Sequence, residues 1–173
     1  MIEIMKPIGE SIGREMRWRR TRFLPAAYEL RLDEQVLATL EWNGMFGSLA
    51  RAQTARGSWH FRRAAPFSWA RDIEDATTGT TLGRYTPRMG LGVLDLADGS
   101  SYRIGRDRLF GPLKVWREDR GLLITFSKRP VPGGGPVMLE AAASAEPRID
   151  LLATFGFYLL TVKRRRAARS SGG

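Results

Sequence analysis

One histidine, no cysteine and one dense knot of carboxylates are what the chain offers toward acid–base, nucleophilic or metal chemistry. His60 alternates with Trp59 and Phe61, so its imidazole is expected on the solvated face of a strand. A nucleophilic triad would need His60 as its base, and no Gly-x-Ser-x-Gly elbow accompanies it. A lone histidine without cysteine leaves no soft-ligand metal site. Asp72, Glu74 and Asp75 form the knot, with Asp72 and Glu74 on one strand face. That spacing suits a hard cation or an acid–base pair. It equally suits a polar strand end entering the turn TTGTT at 77–81. Gly133–Gly134–Gly135 lacks the Lys and Ser/Thr of a phosphate loop, and Gly90–Leu91–Gly92 is too short for a dinucleotide fingerprint. No cofactor, no metal and no enzymatic activity are expected. A small enzyme or ligand carrier using Asp72 and Glu74 stands as the alternative.

The basic side is richer. The net charge is +10, carried by 24 Arg and 4 Lys. Such a balance favours anionic partners: nucleic acid, phosphate groups or acidic lipid headgroups. Solvated strand faces account for the same charge without a ligand. In REMRWRRTR, residues 14–22, Arg17 and Arg19 alternate with Met16 and Trp18. Arg62 and Arg63 follow the aromatics of GSWHF, and Arg164 and Arg165 follow the longest apolar run. These six, Arg17, Arg19, Arg62, Arg63, Arg164 and Arg165, are the candidate anion-binding residues. Arginines interleaved with aromatics suit single-stranded nucleic acid; in a β protein the same text places aromatics inward and arginines outward. Arg164 to Arg166 with Arg169 suit an anionic membrane surface, or simply the negative end of a helix dipole.

The elements that must position these residues are mostly short strands. Residues 1–13 pattern weakly and read as a flexible lead-in. Period-two alternation runs through 14–22, then 28–32 and 36–42 around the turn Asp33–Glu34–Gln35, with Asn43–Gly44 as turn chemistry. A second hairpin, 49–55 and 58–64, turns at Arg56–Gly57. Trp69 and Ile73 share a face of a strand ending at Asp75, and 82–87 is a further strand. Residues 91–96 and 101–106 flank Ala97–Asp98–Gly99–Ser100; 113–118 and 121–128 flank Asp119–Arg120, with Leu122, Ile124 and Phe126 on one side. PVPGGGP at 130–136 reads as a loop, 137–142 as the last strand and 166–173 as a disordered basic tail.

The run 149–162, IDLLATFGFYLLTV, is apolar around the whole helical wheel and must be surrounded by protein or lipid. A membrane span needs about 20 apolar residues, so this shorter run predicts a core helix over 147–163. Ser144 supplies a capping hydroxyl and Pro147 a first-turn proline. Gly156 and Ala153 leave room for a close neighbour. Eleven or twelve strands are too many for a flat open sheet. A barrel of that size leaves a lumen, and a helix about 10–12 Å across fills it. The fold class is therefore mainly β: a closed antiparallel barrel of about 11–12 strands around a central hydrophobic C-terminal α-helix, one domain over 14–165.

YELRLDEQVLATLEW, GSWHF, LDLADGSSYRI and LLATFGFYLLTVKRRR, in that order, resemble the tubby C-terminal-like fold shared by tubby domains, phospholipid scramblases and LURP-one-related proteins. The resemblance covers roughly 14–165 and implies a barrel of about twelve strands threaded by a hydrophobic helix. Tubby domains bind phosphoinositides through basic side chains. No motif transfers that site to particular residues here, nor is there an acidic cluster resembling the scramblase calcium segment. The expected function is a non-enzymatic barrel module that binds an anionic ligand, a phospholipid headgroup or a protein partner by its arginine-rich surface. It is expected in the cytoplasm or peripheral at a membrane, since 1–16 holds no continuous apolar signal segment and the chain no disulfide framework. The alternatives are a tail-anchored protein with a β domain and a nucleic-acid-binding β protein.

Overall fold

The structure, a computed structural model, describes residues 4–44, 47–127 and 134–172. Its strands are β1 Glu15–Arg22, β2 Ala27–Leu32, β3 Gln35–Trp42, β4 Ala50–Thr54, β5 Gly57–Arg63, β6 Arg71–Asp75, β7 Thr81–Thr86, β8 Leu91–Leu96, β9 Ser101–Gly105, β10 Leu113–Arg117, β11 Gly121–Phe126 and β12 Gly134–Leu139. Each pairs antiparallel with its neighbours in sequence, and β1 pairs with β12, so the twelve strands close into an up-and-down barrel. Inward residues alternate as the sequence pattern requires: Leu30 and Leu40 are fully buried, as are Phe61 and Ile73. One face was misjudged by period two alone. Leu123 is buried beside Ile124, because the β10–β11 register slips between Val115 and Trp116 and leaves Leu123 as the extra residue.

The helix α1, Ile149–Ser170, threads the barrel. Phe157 stacks on Trp18 with ring centroids 4.2 Å apart, and Phe155 meets Phe61 edge-on at 5.2 Å. Tyr158 stacks against Trp42 at 5.3 Å. The Phe126 ring covers Gly156, where an added Cβ would meet it at 2.5 Å. The apolar wheel is thus surrounded by strand side chains, and no helix among the described residues is long and apolar enough to cross a membrane.

Three boundaries differ from the sequence reading. Helix α1 continues through Ser170, so most of the tail expected to be disordered is helical. The lead-in packs from Ile8 onward, with a 3-10 turn at Ile8–Ser11 and Ile8 fully buried. Of the expected loop 130–136, residues 130–133 lie outside the described residues, while Gly134 already belongs to β12. Gly134 is glycine because the Trp18 carbonyl of β1 presses on it and excludes a Cβ. The last strand ends at Leu139, and Ala141–Ala145 form a second 3-10 turn that contains Ser144.

Ser144 does not cap α1. The N-cap residue is Arg148, whose own side chain makes no capping bond, and the Glu146 carboxylate does the positioning instead. It accepts from the Arg148 amide at 3.0 Å, the Tyr102 hydroxyl at 2.8 Å and Arg117 at 2.9 Å, with its side chain wholly buried. Arg148 in turn holds Asp98 of the β8–β9 turn at 2.9 Å. This end of the barrel, where the helix enters, is the closed base.

Two outcomes follow. Phe155→Ala removes a ring packed among Phe61, Tyr85 and Tyr158 and should cost about 3–5 kcal/mol, read as a lower urea midpoint. Asp98 is held down to about 2 by the Ser100 hydroxyl and amide and then by Arg148. A carboxyl lowered by folding stabilises fully above its unfolded value of 3.8 and loses that contribution as pH falls toward 2. Asp98→Asn should therefore flatten the acid limb of a pH-unfolding curve between those values.

Candidate functional site at the barrel mouth

Consecutive hairpins send their loops alternately to the two ends, so the β1–β2, β5–β6, β7–β8 and β9–β10 loops surround the end where α1 emerges. That mouth is built on an inversion of the usual pattern. On β5, Arg63 has the inward parity of Trp59 and Phe61; on β6, Arg71 has the parity of Ile73. Arg63 and Arg71 are cross-strand partners, and Tyr85 of β7 is next in the same row. Like charges directly opposite one another destabilise a sheet. Here they also face the interior.

Arg71 is only 3% exposed, and its Nη1 is shared among the carbonyls of Ser68, Trp69 and Ala70 at 3.1–3.4 Å. From the helix, Arg166 lies over the Trp69 ring at 3.7 Å and Arg165 over the Trp42 ring at 4.1 Å. Arg63 Nε, Arg71 Nε and Arg166 Nη2 are buried with no hydrogen-bond partner among the described residues. They meet at a pocket of about 50 Å³ whose lining includes Arg165, Arg169 and Tyr158 and, among the described residues, no carboxylate. Arg71 and Arg166 also line a larger adjoining cleft of about 710 Å³. Its walls mix Tyr85, Leu113, Leu159 and Val162 with Arg88, Arg106 and Lys163. Asp107 is the one carboxylate in its lining, and Lys114 holds it at 2.7 Å.

The electrostatic cost is visible on Arg71, Arg165, Arg166 and Lys163. Burial lowers the pKa of Arg71, and the charge of Arg63 lowers it further. Arg166 is lowered by burial and then by Arg71 and Arg63; Arg165 by burial and then by Arg169. Lys163 is lowered by desolvation, Arg106 and Arg166. Burial pushes the Tyr158 phenol up to about 12, so it stays a neutral donor, here to the Ser48 carbonyl at 3.2 Å. Nor do these helix cations serve the helix dipole. With α1 running to Ser170, only Arg169 falls in its last turn.

Of the six arginines singled out by sequence, three reach the mouth. Arg63 and Arg165 line the small pocket, while Arg164 lines no pocket and donates to the Gly134 carbonyl of β12 at 3.4 Å. The other three lie on the outer wall of the barrel. Arg17 pairs with Glu15 at 2.8 Å, Arg62 pairs with Glu74, and Arg19 projects from β1 into solvent. The carboxylate knot is spent on such wall contacts: Asp72 holds Arg84 at 2.7 Å, and Asp75 accepts the Thr77 and Thr78 amides. His60 is half-buried on the outer wall of β5, opposite Arg51. Arg71 and Arg106 were not singled out. The available signal for Arg71 was its parity with Ile73, an arginine on the apolar side of a strand.

Arg63→Met removes a half-buried guanidinium whose Nε has no hydrogen-bond partner among the described residues and which stands opposite Arg71. The ligand-free variant should melt at the same temperature as the parent or higher, with the gain shrinking in high salt. A drop of several degrees would make Arg63 a structural pillar instead.

Comparison of the chain with protein-family models, curated proteins and solved structures finds no match, so the residues at the mouth are what a functional reading has to stand on.

Proposed function

We propose that this barrel is a non-enzymatic binding module of tubby-like type that takes an anionic amphiphile at its mouth, the anionic head among the arginines and the apolar body in the adjoining cleft. The observation carrying this reading is the set of three buried, unpartnered guanidinium nitrogens on Arg63, Arg71 and Arg166. Buried polar groups are nearly always satisfied, and buried charges are paired. An oxyanion satisfies both demands at once, since guanidinium forks match phosphate and carboxylate geometry. The volume agrees: about 50 Å³ exceeds one water's share of liquid, roughly 30 Å³, and suits one compact oxyanion.

The cleft sets the rest of the ligand. At about 710 Å³ it falls within the range of small-molecule sites, roughly 300–1,000 Å³, which are mostly apolar with a few fixed polar groups. Tyr85, Leu113, Leu159 and Val162 offer that apolar wall, and Arg71 and Arg166 join it to the head pocket. Nothing among these groups resembles a nucleophile with its base, which is why the reading is retention and not turnover.

Calorimetric titration with dodecyl phosphate and with inorganic phosphate tests it. Both should bind, dodecyl phosphate more tightly, and Arg63→Met with Arg166→Met should weaken both at least about tenfold, the loss of a charged bond. Affinity should fall as pH rises through a value below the ordinary lysine pKa of 10.5, because Lys163 sheds its proton early. Absence of heat with either compound at low salt, or equal binding by the double variant, overturns the reading.

A further inference from the structure

The exposed large apolar side chains of the described residues are not spread over the molecule. Phe23 and Leu24 stand on the β1–β2 loop, Phe67 and Trp69 on β5–β6, Met89 on β7–β8, and Leu109 and Phe110 on β9–β10. All four loops border the mouth. Beyond them, only Ile4, in the segment before β1, and Met138, on the outer wall of β12, are comparably exposed. The turns at the base carry none of these side chains. Phe67 adds a second oddity: it is 94% exposed, yet its backbone sits at φ 63°, in the left-handed region that disfavours a bulky side chain.

Charge divides along the same axis. The base turns carry exposed Asp33, Glu34, Asp98, Glu118 and Asp119 against Arg56 and Arg120. The mouth loops carry Arg88, Arg106 and Arg108 against Asp107 alone, and the emerging helix adds Lys163 to Arg166 and Arg169. One end of the barrel is therefore acidic and polar, and the other is basic with apolar tips.

Apolar exposure on this scale marks a contact surface. Its form selects the partner. A soluble protein or peptide would meet a contiguous anchor cluster at the centre of the patch. Here the apolar residues stand on four hairpin loops of the rim, Trp69, Met89 and Leu109 beside the cleft and Phe23, Phe67 and Phe110 outside it, in company with Arg88, Arg106 and Arg108. That is the arrangement for shallow insertion at a lipid interface, where apolar side chains enter the headgroup boundary and Lys/Arg meet anionic lipid.

We propose that the mouth end of the barrel docks on an anionic lipid bilayer, with Phe23, Phe67 and Phe110 among the tips that enter the headgroup region. Trp69, Met89 and Leu109 also line the cleft, but Phe23, Phe67 and Phe110 line neither it nor the arginine pocket, so changes at these three test docking apart from the ligand reading above. Docked this way, the cleft opens onto the bilayer and the acidic base faces away from it.

Co-sedimentation of the full chain with vesicles tests this: one set of phosphatidylcholine, the other of phosphatidylcholine and phosphatidylserine at about seven to three, to supply negative surface potential. The chain should pellet with the second set and not the first, and less so in high salt. Phe23→Ser, Phe67→Ser and Phe110→Ser combined should cut vesicle binding at least about tenfold, by loss of inserted apolar area. The same triple variant should keep its melting temperature and its titration with dodecyl phosphate in vesicle-free buffer. Vesicle binding by the triple variant equal to the parent's overturns the proposal, because charge alone then suffices. No binding to either set overturns it as well, and light scattering showing a parent dimer that the triple variant dissolves would assign the tips to self-association.

Discussion

A closed barrel of twelve strands encloses more room than its own inward side chains fill, and everything else here depends on how that room is occupied. The occupant is α1, and it has to be apolar on all sides because strands surround it. The fit is uneven. Phe126 lies directly on Gly156, and the backbone of α1 comes closest to β3, β4, β5, β10 and β11. On the β6–β9 side the approach is less close, and toward the mouth the leftover lumen opens as the cleft between Tyr85, Leu113, Leu159 and Val162. The helix is thus gripped from two opposite walls, β3–β5 and β10–β11, and the cleft is the room left between them on the β6–β9 side.

The two ends of the helix hold buried charge of opposite sign, and the base keeps one costly group of its own, Asp150, buried with its pKa raised by desolvation. At the base, Glu146 is completely buried and completely answered by Tyr102, Arg117 and the Arg148 amide. Such a carboxylate fixes where the chain turns into the lumen, and nothing about it asks for a ligand. At the mouth, Arg63, Arg71 and Arg166 line one pocket, each with one buried nitrogen unanswered among the described residues. Replacing buried charges by apolar groups of similar volume commonly stabilises a fold. A sequence that keeps three cations there is holding a locally unfavourable arrangement, and such exceptions to local consistency are where function concentrates.

The barrel was legible because its signals are redundant. Strand alternation, turn chemistry at Asp33–Glu34 and Asp98–Gly99, and an all-round apolar run each point to the same closure. The mouth was legible only in part, for reasons of register and not of residue type. Reading Trp59 and Phe61 as inward and arginines as outward is right for Arg62 and wrong for Arg63, one position on. Arg71 shares a wall with Arg63 only because β5 and β6 pair in the register that sets them opposite, which no local pattern encodes. The extra residue at Leu123 and the close approach that makes Gly134 a strand glycine have the same origin: both are decided by a partner strand distant in sequence.

The helix end shows why length matters more than composition in assigning these cations. Had α1 stopped near Val162, Lys163 to Arg166 would sit at the negative end of its dipole and need no further explanation. It runs on to Ser170, where the Ser171 amide closes on the Ala167 carbonyl, so at 1.5 Å per residue the carboxyl terminus lies about 6 Å beyond Arg166. The cations are therefore placed by the mouth and not by the dipole. Arg165 is clamped over Trp42 and Arg166 over Trp69, two aromatics on the same flank of the opening, β3 and the β5–β6 loop. Holding the rigid end of a helix against two rings fixes the guanidinium groups relative to Arg63 and Arg71, so that the pocket exists before any anion arrives.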